Sequence, residues 1–206
     1  MLRLSDLHPW RATLYGLLSA LLFFVAAWGN AYLTQYMSVH MLVHIPLIMV
    51  AGAFAALSLS AARATRRGVI QVIYRLYRYL NKYGIPGLLF ASLAAGYWMV
   101  PKALDDVLVS HPMQLLKFVV LFIAGMVLVE SWQRAHLVLK LFFLGNFCWM
   151  AAIVGVMYQE EPVRLCNFYL QSDQEIAGIG LVVMAITLPL LWLLSEIRAV
   201  LHYLKQ

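Results

Sequence analysis

Six long apolar stretches, at about 12–33, 39–62, 84–101, 112–132, 138–158 and 174–197, alternate with short polar connections along this chain. Crossing a bilayer takes roughly 20 predominantly apolar residues in a helix, and each stretch meets or nearly meets that length. The third is the shortest and holds Gly84, Pro86, Gly87 and Gly96 before ending at Pro101. Small residues of this kind let spanning helices approach closely. The pattern predicts an all-α polytopic bundle of about six spans forming a single transmembrane domain over 1–206. The apolar run after Arg3 and Arg11 is longer than the 7–15 residues of a signal-peptide core, so it reads as a genuine first span.

Composition agrees with this reading. Charged residues make up 12% of the chain and hydrophobic ones 64%, whereas a soluble domain carries about 25% charged residues to face water. A net charge of +6 does not point to nucleic acid, because most charges sit in the connections, where they act as topology signals. Arg63, Arg66, Arg67, Arg75, Arg78 and Lys82 follow span two, Arg134 and Lys140 follow span four, and Arg198 and Lys205 follow span six. With Arg3 and Arg11 they fall on one side of a six-span layout, which places both termini in the cytoplasm. The localisation expected is a cell membrane, inner or plasma, with a multi-pass chain in contact with the lipid bilayer. Six tryptophans and eleven tyrosines, many near segment ends, fit the interfacial belt of such a protein.

Arg67, Arg75, Arg78 and Lys82 recur at helical spacing beside Ile70, Ile73, Tyr77 and Leu80. That pattern suits a helix lying in the headgroup region, and an ordinary basic loop extending span two fits it equally. Neither reading carries chemistry. Cys148 and Cys166 are too few and too irregularly placed for a zinc motif or a disulfide framework.

Ionisable residues at the membrane are costly, and three groups of them fall on the outer side of this layout. His40 and His44 open span two; residues four apart share a helix face, about 6 Å apart along the axis. The spacing matches zinc-binding histidine pairs, but no glutamate follows His40, so a metalloprotease is excluded. Ser38 is placed to cap this helix, and Pro46 to loosen it below His44. Ligation of a metal or haem and simple hydrogen bonding to nearby loops both fit the pair. His111 precedes Pro112 at the start of span four and suits a capping or loop role. Ser172 and Glu175 form a capping-box pattern at the start of span six, which leaves Asp173 as a candidate ligand or ligand-orienting carboxylate. Spans two, four and six all run inward. His40, His44, His111 and Asp173 therefore share one face, a first shell compatible with copper or zinc. Asp105, Asp106, Glu160 and Glu161 would offset the positive ends of these helices.

At these residues the chain resembles the membrane-integral CtaG family, the assembly factors of caa-type cytochrome c oxidases. His40-Met41-x-x-His44 is similar to that family's paired-histidine motif, and Asp173-Gln174-x-x-Ala177-Gly178 to its DQxxAG-type motif. His111 falls where the family has a histidine-bearing segment, and the resemblance covers about 36–195. Two features depart from it: six spans against about seven, and Leu115 where a second middle histidine is common. The resemblance implies a copper-binding factor, not an enzyme, that helps insert copper into a haem–copper terminal oxidase at the outer membrane face. His40, His44, His111 and Asp173 are its implied metal residues; oxidase subunits or a copper donor protein are its implied partners. The alternatives are a b-type cytochrome, with haem b held between span two and His111, and a structural accessory subunit of a respiratory complex. GxSxG, phosphate-loop and HExxH motifs are absent from the sequence, and an oxidoreductase subunit remains open.

Overall fold

The computed structural model describes residues 9–61 and 69–204. Arg3, Arg63, Arg66, Arg67 and Lys205, which contribute to the charge asymmetry, lie outside those residues. Helix α1 (Pro9–Trp28) is followed by a short α2 (Asn30–Leu33), then α3 (Met37–Val39), a π-helical turn (His40–His44) and α4 (Ile45–Ala61). Next come α5 (Val69–Leu80), α6 (Ile85–Tyr97), α7 (Pro101–Val109), α8 (His111–Trp132), α9 (Leu137–Glu160) and α10 (Gln171–Leu204). Five of these segments are long and apolar enough to cross a membrane, and the pair α6–α7 makes a sixth if it counts as one span. The protein is thus a helical membrane protein.

Several boundaries move from the sequence reading, each for a local reason. The first span stops at Trp28 because the chain breaks at Gly29 and restarts as α2. The third stretch bends by 74° between α6 and α7. Pro101 holds the residue before it, Val100, in an extended conformation (φ −78°, ψ 129°) and then opens α7 itself. Asp105 and Asp106 therefore lie on a helix. The basic stretch after span two does form a helix, α5. Val72, Leu76, Tyr79 and Leu80 face outward on it, while Tyr74 reaches back to Glu130 on α8.

Within the bundle α1 packs along α4, α4 on α8, α6 on both α8 and α9, and α9 on α10. The start of α10 returns against α3 and the π-turn. Two crossings rest on paired glycines. A Cβ on Gly52 would collide with the Phe122 carbonyl of α8, and one on Gly125 with the Met49 carbonyl of α4. A Cβ on Gly178 would lie 2.5 Å from the Gly155 carbonyl, and one on Gly155 2.7 Å from the Gly178 carbonyl. At both places helix backbones touch, as small residues permit in lipid.

Contacts sort the polar residues onto two ends. At one end Glu130 pairs with Arg134 at 2.6 Å, and Arg134 also donates to the Asn81 carbonyl. Ser60 and Tyr74 donate to Glu130, so α4, α5 and α8 are tied together there. At the other end Asp105 of α7 accepts from the backbone and side chain of Asn167, and Asp173 of α10 engages α3. The histidine pair belongs to this second end.

Candidate functional site

Pro46 has no N–H to give to the carbonyl four residues back, and its ring crowds that position. The chain accommodates this with a single π-helical turn immediately before it, in which the Ile45 N–H reaches the His40 carbonyl. Turns of this kind recur at functional sites. Here the turn ends on the two histidines, both fully buried with ring centroids 5.5 Å apart.

Each imidazole is fixed from its far side. His40 Nδ1 lies 2.8 Å from Tyr169 Oη, and that hydroxyl is 3.1 Å from the Thr34 carbonyl oxygen. Burial pushes the Tyr169 phenol above its ordinary pKa, so the hydroxyl keeps its proton and donates it to the carbonyl. It must then accept from His40, which assigns the proton to Nδ1 and the lone pair to Nε2. His44 Nε2 lies 3.1 Å from the Ala26 carbonyl, an acceptor only, so that nitrogen donates and Nδ1 carries the lone pair. Ala26 sits in the last turn of α1, where carbonyls lose their intrahelical partners, and the break at Gly29 makes it available.

The two lone pairs converge on a residue that the sequence reading passed over. Lys117, fully buried on α8, places Nζ 3.1 Å from His40 Nε2 and 3.3 Å from His44 Nδ1. Asn30 Oδ1 is 3.4 Å away, so three ammonium protons face three acceptors. The Phe118 ring lies 5.2 Å from the charge. A single lysine within an apolar span is costly enough to mark a site, and that was the signal available in the sequence. Asn30 and Tyr169 carried none.

The other candidates sit apart from this cluster. The carboxylate of Asp173 accepts from the Met37 N–H, from the Ser38 N–H at 3.3 Å and from Ser38 Oγ at 2.5 Å. It caps α3 across the helix interface. Ser38 therefore binds Asp173 instead of capping its own helix, and Ser172 lies inside the first turn of α10, which begins at Gln171. His111 is exposed at the start of α8. Asp106 is paired with Lys102, and Glu160 is exposed. Among the described residues there is no group of three or more His, Cys, Asp or Glu side chains placed to share a metal ion.

Beside the cluster runs the loop between α9 and α10, largely exposed but with Cys166 and Tyr169 turned inward and buried. The side chain of Gln174 holds it by accepting from the Leu165 N–H and donating to the Tyr158 carbonyl. Cys166 donates from Sγ to the Pro101 carbonyl at 3.6 Å. Burial, helped by the nearby charge of Asp105, pushes this thiol up to about 12, so it behaves as a packing residue.

Chemically, the arrangement offers two neutral nitrogen donors aimed at one point and a cation already held there. Such far-side bonds are what fix tautomer and orientation in histidine ligands. Comparison with family models, with curated proteins and with solved structures found no match.

Proposed function

We propose that this chain is a copper-handling membrane protein that assists metal insertion into a haem–copper terminal oxidase. The observation that carries the reading is the convergence of His40 Nε2 and His44 Nδ1, each held by a hydrogen bond on its opposite nitrogen. Imidazole nitrogen suits copper, and copper is here a cargo to be held and passed on. His40 and His44 are the donors. Asp173 acts at one remove, by fixing the helix that carries them. His111, exposed at the same helix-end level, marks the route by which a donor protein would approach.

The distribution of basic residues supports the orientation. Arg75 and Arg78 on α5, Lys82 and Arg134 in the following connections, and Lys140 in the first turn of α9 all lie away from the histidine end, so the positive-inside rule turns the histidines toward the outer face of a cell membrane. The haem alternative fits less well. A buried haem takes axial ligands from facing elements, whereas both buried histidines lie on one π-turn and look toward Lys117.

Deleting the gene in its source cell tests the proposal. Oxidase purified from the deletion strain should retain haem, lack copper, and regain it when growth medium is supplemented with copper. Fully metallated oxidase in the deletion strain would overturn the proposal.

A further inference from the structure

We infer that Lys117 is a tethered cation seated where the cargo goes, and that its charge restricts the site to monovalent copper over divalent zinc or cupric ion. The inference rests on the copper reading above and specifies the ionic form of the cargo.

The point faced by both imidazole lone pairs is the point occupied by Lys117 Nζ. Its contacts of 3.1 and 3.3 Å are hydrogen-bond lengths, longer than the roughly 2.0–2.1 Å of a metal–imidazole bond. The ammonium therefore holds the two rings in register but slightly apart. A metal ion and the ammonium cannot share that point, so loading moves the lysine out and lets the rings close. Lys117 is six positions into α8, about 9 Å of helix rise from His111. Its flexible four-carbon stem lets the ammonium draw back along α8 without leaving the site.

The displaced charge stays nearby, and little offsets it. Among the described residues no carboxylate lies within ion-pair distance of Lys117. Asp173 is bonded to Met37 and Ser38, and Asp105 binds Asn167 through Oδ2 alone. With neutral imidazoles, a monovalent ion adds one positive charge beside the lysine and a divalent ion adds two. At the effective dielectric of a protein site, that extra charge weakens binding on the order of a hundredfold. Two nitrogen donors also suit the low coordination number that cuprous ion accepts.

The experiment titrates silver ion, a redox-inert monovalent probe, and zinc ion against the purified protein in detergent. Wild type, Lys117→Met, Lys117→Gln, Lys117→Arg and the double variant His40→Ala/His44→Ala are compared. Either neutral variant should strengthen zinc binding on the order of a hundredfold more than silver binding, while Lys117→Arg keeps the wild-type ratio. Equal gains for both ions would overturn the inference. Loss of silver binding in the neutral variants would also overturn it, by making Lys117 a ligand. Silver binding that survives in the double histidine variant, or is missing from wild type, would overturn the copper reading itself.

Discussion

Asp173 accepts a hydrogen bond from the backbone N–H of Met37, 136 positions earlier in the chain. This contact closes the free N-terminal turn of α3, three residues ahead of His40, with a carboxylate from another helix. The negative charge also meets the positive end of that turn. Packing of α10 and orientation of the histidines are therefore one event.

Removing the carboxylate should loosen that end of the bundle. Asp173→Ala is expected to cost about 0.5–2 kcal/mol, the range for losing a helix cap. Asp173→Asn, which keeps one acceptor, should lose less. Thermal unfolding of the detergent-solubilised variants checks the order, and equal midpoints for all three proteins would contradict it.

The α4–α8 crossing should tolerate no added methyl. Gly125→Ala puts a carbon into the Met49 carbonyl and is expected to destabilise by about 1–3 kcal/mol. Gly145 on α9 has nothing within 4 Å of the equivalent position. Gly145→Ala should be neutral or stabilising by up to about 1 kcal/mol, because alanine favours helix. Denaturant unfolding of the pair measures the contrast.

Tyr169 sets the tautomer of His40. Tyr169→Phe strands the His40 Nδ1–H and the Thr34 carbonyl in a buried place, at a cost of about 1–3 kcal/mol. Nitrogen NMR of labelled histidine gives a readout that simple loss of packing would not move. The wild type should show His40 protonated at Nδ1, and the variant a mixture of tautomers.

Cys166 should resist chemistry in the folded protein. Its thiol is held up to about 12 by burial first and by Asp105 second, so a maleimide at pH 8 should label it only after unfolding. The unfolded chain gives up this proton at lower pH than the folded one. The stabilisation is thus complete below the ordinary value of 9.0 and falls away as pH rises from there toward about 12. Rapid labelling of the native protein would contradict the assignment.

What could be read from the sequence divides along the range of the interactions. His40 and His44 were legible because four-residue spacing is local, and Pro46 announced a disturbed helix without saying that it would take the form of a π-turn. The spans were legible from length and apolarity alone. The bend at Pro101 was half legible: the proline marked the end of one helix and opens α7 as well, while the bond that joins α7 to the distant Asn167 through Asp105 lies beyond any local pattern. Capping departs from the local pattern at both serines: Ser38 is engaged by Asp173 from another helix, and Ser172 falls inside α10 because that helix starts one residue earlier, at Gln171. Lys117 was hidden in plain view, since its meaning depends on which residues α8 faces.

The central claim is that His40 and His44 together hold copper. X-ray absorption of the protein loaded with cuprous ion, beside His40→Ala/His44→Ala loaded in the same way, tests it most directly. The account predicts about one copper per chain with nitrogen scatterers at roughly 2 Å and the outer-shell pattern of imidazole, all lost in the double variant. Copper bound through sulfur, or bound equally by both proteins, would contradict it.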